Sequence, residues 1–472
     1  MKIPTLIVVL LLSFACRAQI VVQQFDGDIG AGTSANSDHP NPSIDSNGIY
    51  RVEVTWQNIN IYTVAGALQS STNFQTFVAN AGGASCTGHC QEPRVIFEQG
   101  VSRWMITVGT AGDTLIVSSG SDPTTSTWKS TALTANTGDM TLQVAYGKSN
   151  GWLIFTEFVP CGGNAMTEIA MPAADAAWTG AGTISLAHEV ISNCATNSAA
   201  PCTDLSNASP TAPLYAITRV GDAQTQTNAS WILALDTFTP TSSTTGTWSN
   251  PASPTQISTG YLYNTPLDPN QPGSPGGVRG SESRRHWGCM TTNGTDLQAV
   301  AGSGPCASSC GAQPVGTQQI SLWFDISIPG LTLAQKAIMT DANLGYLFPA
   351  MAVDAADNTV IVVAGCSTTQ FCSLYSFLHL QSDAANTLRG PYLLTAGTQN
   401  LQVCNTTPHP GYGDWASAKQ DAGDPTIIDA VNEYVNSATP CAWATRILKL
   451  QVNPPIVPAA TFLSRLRWEL QP

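Results

Sequence analysis

One unit recurs along this chain: an apolar run, a polar turn built on Asp, Asn or Gly, then a second apolar run. It reads PSIDSNGIYRVEV with its turn at Asp45, PRVIFEQGVSRWMITV at Glu98, LQVAYGKSNGWLIFT at Gly147, LYAITRVGDAQTQTNASWILAL at Arg219, WGCMTTNGTDLQAVA at Thr292, PAMAVDAADNTVIVVA at Asp354 and WASAKQDAGDPTIIDAV at Asp421. Successive turns stand 53, 49, 72, 73, 62 and 67 residues apart. Short β-rich runs bounded by turn residues read as antiparallel hairpins. A small twisted sheet cannot bury both faces alone. Packing several around an axis hides those faces and leaves only short edges. Two stacked sandwiches would supply many strands but not one turn motif repeated along the whole chain. The fold class expected is therefore all-β, a single β-propeller of four-stranded antiparallel blades, seven in number with six as the alternative. The stretch from Thr237 to Ser283, rich in Ser, Thr, Pro and Gly, reads as irregular outer strands and long loops. The β-like ends 19–26 and 460–470 are candidates to close the ring in one blade.

Composition narrows the setting. Of 472 residues 43% are hydrophobic and only 10% charged, so the core is ample and salt-bridged helical faces are excluded. The formal charge of −13 opposes binding to a phosphate backbone or an anionic membrane surface. The N-terminus MKIPTLIVVLLLSFACRA has a basic start, an apolar centre and small residues near Ala18, the pattern of a secretory signal peptide over residues 1–18. Its removal leaves one propeller domain over 19–472, secreted or periplasmic, with no membrane insertion. Twelve of the 13 cysteines then remain, an even number in an exported chain. Spacing suggests the pairs Cys86/Cys90, Cys194/Cys202, Cys306/Cys310, Cys366/Cys372 and Cys404/Cys441, with Cys161 and Cys289 left over. Zinc on Cys86, His89 and Cys90 is the rival reading, but no second ligand pair stands nearby.

The segment EPRVIFEQGVSRWMITV followed by LIVSSGSDPTTSTW resembles a recurring blade of secreted bacterial propeller proteins of sialidase-like shape. The runs DPNQPGSPGG, RRHWGCM, LWFDI, LFPAMAVDAADNTVIVVAG, GYGDWASAKQDAGDPTIIDAVNEYV and WATRILKL continue it over about residues 90–450. SDPTTSTW (Ser121 to Trp128) is similar to the Asp-box of sialidases without its usual Gly. The resemblance implies the propeller shape rather than a reaction, since many such proteins have no assigned activity.

In a propeller, residues just before each innermost strand meet near the axis. Here they are His39 and Asn41, Glu92 and Arg94, Asp139, Thr211, Arg284 with Arg285 and His286, Phe348, and Tyr412 with Asp414. A polar axial pocket of Glu92, Arg94, Asp139, Arg284, Arg285, His286, Tyr412 and Asp414 is the expected ligand site. Each of these residues also has a structural reading as an ion pair or strand cap. Trp104, Trp128, Trp152, Trp415 and Trp443 read as blade-to-blade core, a rim Trp alone being placed to stack on a sugar.

Sialidase chemistry needs an arginine cluster, a Tyr–Glu pair and an acidic Asp. Arg94, Arg284, Arg285 and Arg446 are available, with Asp139. Glu433 and Tyr434 are adjacent on a strand and point to opposite faces. His286 beside Arg284 and Arg285 would suit a polysaccharide lyase. No GxSxG, HExxH or P-loop occurs. No cofactor is expected. Calcium at the Asp354–Asp357 and Asp421–Asp424 turns is the alternative to plain hairpin turns. The expected function is binding of an extracellular glycan or protein partner, not nucleic acid. The alternatives are glycan cleavage by a sialidase-like hydrolase or a lyase, and a structural surface protein.

Overall fold

The computed structural model describes residues 20–31, 40–83, 86, 90–109, 113–133, 141–158, 166–172, 187–191, 199–206, 209–219, 227–249, 255–264, 267, 269–272, 287–305, 318–400, 415–435 and 442–452. Strand β1 (Ile20–Ala31) opens the chain and is used by its last sheet. β2 (Ser43–Ser46), β3 (Tyr50–Val54), β4 (Asn58–Thr63) and β5 (Leu68–Asn73) form the first sheet in order, followed by helix α1 (Phe74–Asn80). The next sheet is β6 (Gln91–Glu98), β7 (Arg103–Gly109), β8 (Asp113–Ser118) and β9 (Trp128–Ala132). β10 (Thr141–Gly147), β11 (Trp152–Phe158), β12 (Met166–Pro172) and β13 (Ala187–Ile191) make an antiparallel ladder. β14 (Ala199–Pro201) leads to β15 (Thr203–Asp204) and then to β16 (Leu214–Arg219), β17 (Thr227–Pro240), β18 (Gly246–Trp248) and β19 (Thr255–Asn264). Of these, β14, β16, β17 and β18 follow one path, with β19 also on β17. A ladder of β20 (Trp287–Thr291), β21 (Asp296–Ser303), β22 (Ile320–Ser327) and β23 (Thr332–Met339) comes next. Then come β24 (Gly345–Val353), β25 (Thr359–Ser367), β26 (Gln370–His379) and β27 (Arg389–Thr395). β28 (Ser417–Gln420), β29 (Ile427–Tyr434) and β30 (Ala442–Gln451) complete the chain, and β1 pairs with β30.

First strands follow one another in a closed circuit, β2, β6, β10, β14, β20, β24, β28 and back to β2. That circuit makes the molecule a β-propeller. Burial follows from it. β24 and β25 are buried at every position, and their sequences GYLFPAMAV and TVIVVAGCS are near-continuous apolar or small runs. The outer strands β5, β9 and β27 are mostly exposed or half-buried, and their sequences are correspondingly polar. Aromatic pairs fill gaps between sheets, among them Trp152 against Phe238 with ring centroids 4.7 Å apart. Trp104, Trp152 and Trp443 are fully buried.

Every recurring unit is a hairpin, β2–β3, β6–β7, β10–β11, β16–β17, β20–β21, β24–β25 and β28–β29. The fourth unit is one strand out of step, because β14 occupies the axial place and β16 lies outside it. The acidic turn residues cap the hairpins. Asp354 Oδ1 accepts the Ala356 and Asn358 amides at 2.8 and 2.9 Å, and Asp421 Oδ1 those of Gly423 and Asp424 at 2.7 and 2.9 Å. Among the described residues no three acidic, His or Cys side chains are grouped to hold a metal.

Two expectations are corrected. Seven separate four-stranded blades are not present: five sheets follow a four-strand path, while β10–β13 and β20–β23 belong to one nine-stranded sheet. The cause is β15, whose two residues pair in parallel with Gly147 on one side and with Met290 and Thr291 on the other. The same wedge corrects a disulfide. Cys202 bonds Cys289, not Cys194, because β15 and β20 run side by side and bring the two Cα atoms to 4.5 Å. Cys86–Cys90 and Cys366–Cys372 pair as their spacing suggested. Ring closure uses β1 against β30 at 442–451, and 460–470 lies outside the described residues. So do Cys161, Cys194, Cys306, Cys310, Cys404 and Cys441.

Candidate functional site

The innermost strands enclose a cavity of about 80 Å³ on the axis. Its wall takes Ser43 from β2, Arg94 from β6, Gln143 from β10, Thr203 from β15, Met290 from β20, Met351 from β24 and Lys419 from β28. Side-chain hydrogen bonds stitch these strands together. Ser43 Oγ accepts the Val95 amide at 3.1 Å and Asp45 Oδ2 accepts that of Phe97 at 2.8 Å. Ser46 Oγ donates to Asp421 Oδ2 at 2.8 Å, and Gln420 Nε2 to the Val353 carbonyl at 3.0 Å. A shaft built this way is rigid, and its volume suits a few water molecules rather than a sugar ring.

The charged side chains that line the described wall are Arg94 and Lys419. Arg94 sits over the Trp415 ring, its guanidinium carbon 3.9 Å from the ring centroid, and its Nη1 donates to the Pro93 carbonyl at 2.9 Å. Burial holds the Lys419 ammonium below the usual lysine value; Asp45 opposes this and Arg94 adds to it. Asp45 stands just behind the wall. Burial pushes its carboxyl up to about 7 against the pull of Lys419 and of two backbone amides.

Three non-glycine residues at the entrances of inner strands adopt left-handed backbone: Asn41 (φ 45°), Glu92 (φ 44°) and Phe348 (φ 49°). Each precedes a proline, Pro42, Pro93 and Pro349. A residue before proline is normally extended, so these steps are strained and over-determined by the ring. In β6 and β24 they coincide with shifts of register, between Gln91 and Arg94 and between Leu347 and Ala350. Asn41 is fully buried, and neither its Oδ1 nor its Nδ2 has a hydrogen-bond partner.

Of the expected pocket residues, Arg94 reaches the cavity wall and Glu92 stands two residues before it on β6. Asp139, Arg284, Arg285, His286, Tyr412 and Asp414, together with His39, lie outside the described residues. Thr211 is not at the axis. It is exposed in a Ser209–Thr211 turn, a consequence of the displaced fourth unit. Lys419, Gln143 and Thr203 were missed. The repeated X–Pro step, just before β2 and within β6 and β24, was the signal that marked the shaft entrance.

The Asp-box-like segment is a turn between β8 and β9. Asp122 Oδ1 accepts from the Thr124 amide at 2.8 Å, and the Ser121 carbonyl accepts from Trp104 Nε1 at 2.8 Å. No protein-family model matches the chain, and no curated protein matches it. Among solved structures it is similar to the N-terminal domain of Nup159, with a TM-score of 0.41 at 11% identity, covering 92% of this chain and 95% of that one. It is similar to the Dos1 propeller, with a TM-score of 0.38 at 9% identity over 92% and 95% of the two chains. It is also similar to an α-L-arabinofuranosidase from Lactobacillus brevis, with a TM-score of 0.32 at 11% identity over 65% and 89%.

Proposed function

We propose that this chain is an exported β-propeller that binds an extracellular glycan or protein at the mouth of its axial shaft. The observation that carries the reading is the Arg94–Trp415 stack at the cavity wall. A flat aromatic face beside a cation and polar Ser43, Gln143 and Thr203 side chains is the equipment of a carbohydrate or peptide contact. The 80 Å³ shaft admits no sugar ring, so the ligand sits across the entrance, not inside. Export is supported by the leader-like residues 1–18 and by three disulfides among the described residues. No helix among the described residues is long and apolar enough to cross a membrane.

Binding is preferred to hydrolysis by an ordinary retaining or inverting glycosidase, which needs a pair of carboxylates at the reacting bond. The described wall has none, and Asp139 and Asp414 lie outside the described residues. The test is a glycan array and a polysaccharide-depolymerisation screen on the chain from residue 19 onward, with Trp415→Ala and Arg94→Gln as controls. Binding lost in both folded variants supports the reading. Binding that both variants retain places the ligand elsewhere, and depolymerisation of any polymer makes the protein an enzyme.

A further inference from the structure

The strand that closes the ring is held over a buried carboxylate pair. β1 breaks register with β30 between Asp26 and Ile29, and the bulge lays Gly27 and Asp28 on Thr445. The Asp28 amide donates to Thr445 Oγ1 at 2.7 Å, while the same hydroxyl donates to Glu53 Oε1. Asn60 Nδ2 and the Tyr62 hydroxyl donate to Glu53 Oε2 at 3.1 and 3.3 Å. Asp28 accepts from Thr55 Oγ1 at 2.5 Å and from Asn58 Nδ2 at 2.9 Å. Glu53 is fully buried and Asp28 nearly so. A Cβ on Gly27 would stand 2.4 Å from Thr445 Oγ1 and 2.5 Å from Glu53 Oε1, so the seam has no room to spare.

The charges around this seam do not neutralise it. On β3, Arg51 is committed to Asp429 of β29 at 2.7 Å. On β30, Arg446 is committed to Asp26 of β1 at 2.7 Å, and the Tyr434 hydroxyl of β29 donates to the same Asp26 oxygen. Glu433 of β29 lies opposite Thr445 in register, is fully buried, and adds a further carboxyl to that face. On β4 the titratable group is Tyr62 itself. Buried carboxylates facing one another without a cation retain a proton.

We propose that Glu53, packed against Asp28 and Thr445, is a proton-held clasp on the ring-closing strand, closed while Glu53 keeps its proton and loosened when that proton passes to solvent. Burial first, then the Asp28 charge, pushes Glu53 up to about 7, so release falls near neutral pH. Once β1 lifts, Glu53 is solvated and returns to an ordinary glutamate. Opening of β1 therefore becomes easier as pH rises, on the order of fifty-fold between about pH 5 and pH 8.

Amide hydrogen exchange on the chain from residue 19 onward tests this. Protection factors over 20–31, corrected for intrinsic exchange, should fall by that ratio between pH 5 and pH 8, while those over β25 hold. Glu53→Gln, which cannot ionise, should flatten the dependence, and Asp28→Asn should move the fall to lower pH, since the Asp28 charge is one of the two causes that hold the Glu53 proton in place. No fall in the wild type, or an identical fall in a folded variant, overturns the clasp. If neither variant folds, glutamate-selective carboxyl-carbon NMR decides. A glutamate titrating near neutral in step with β1 amides supports the clasp, and titration of every glutamate below about pH 5.5 overturns it.

Discussion

Arg51 on β3 and Asp429 on β29 form an ion pair at 2.7 Å in which neither side chain is exposed. It spans the seam between the first sheet and the closing sheet, so it ties the two ends of the chain. Burial leaves Asp429 pushed up to about 7 despite the guanidinium beside it, a sign that desolvation nearly cancels the attraction. Such a pair is costly to break and cheap to replace. Arg51→Met alone should destabilise by about 3–5 kcal/mol, since it strands a buried carboxylate. Arg51→Met with Asp429→Leu should recover most of that loss. Denaturant unfolding of the two single variants and the double variant checks it. A double variant as unstable as Arg51→Met would show that the pair adds stability outright.

Asp325 on β22 gives a pH prediction of known sign. Burial, then the charges of Asp296 and Asp357, push its carboxyl up to about 7. The unfolded chain gives up this proton near the ordinary aspartate value of 3.8, whereas the folded protein keeps it. The contribution is therefore whole below about pH 4 and lost as pH rises through about 7. Asp325→Asn keeps the neutral shape without the titration. Relative to wild type it should gain about 1–3 kcal/mol on going from pH 4 to pH 8. Thermal or denaturant unfolding at the two pH values measures the difference, and a variant that tracks wild type at both removes Asp325 from the pH response.

The Cys202–Cys289 bond encloses 87 residues of sequence separation, including β16 to β19. A cross-link over so long a loop removes much unfolded-state entropy. Cys202→Ser with Cys289→Ser should cost about 3–5 kcal/mol. The Cys86–Cys90 bond closes a separation of only 4, and its removal should cost less. Peptide mapping under non-reducing conditions settles the pairing, and recovery of a Cys194–Cys202 peptide would refute it.

The hairpin repeat carried the architecture because period-two patterning and turn chemistry are local. Asp354 and Asp421 announce their hairpins by capping them. Blade separation was less legible. Nothing in the two residues Thr203 and Asp204 announces a strand, yet they join two ladders and redirect Cys202 to Cys289. The site was legible by position where the repeat was regular, as at Arg94, and misread at Thr211 where β14 displaced it. Lys419 sits in the run WASAKQD, with nothing local to set it apart from an outward-facing lysine. Its place on the wall depends on which strand is innermost, and that is a tertiary fact.

The turn ends of the closing seam are packed backbone on backbone. Gly48, at φ 84°, lies in the β2–β3 turn, and Gly423 in the β28–β29 turn. A Cβ on Gly423 would stand 2.5 Å from the Gly48 Cα, and one on Gly48 2.6 Å from the Gly423 Cα. Neither contact is to a flexible side-chain end, so relief requires the turns to part. Parting them strains the Ser46 bond to Asp421, which joins the same two hairpins at 2.8 Å. Gly423→Ala should therefore destabilise by about 2–4 kcal/mol, far beyond the few tenths expected of an exposed turn. Gly82 at φ 83° supplies the comparison, since its nearest neighbour would be a serine hydroxyl at 3.7 Å. Gly82→Ala carries only the backbone penalty of about 1 kcal/mol. Unfolding curves for both variants test the seam, and equal losses would mean that backbone conformation alone, not the contact of the two turns, governs the cost.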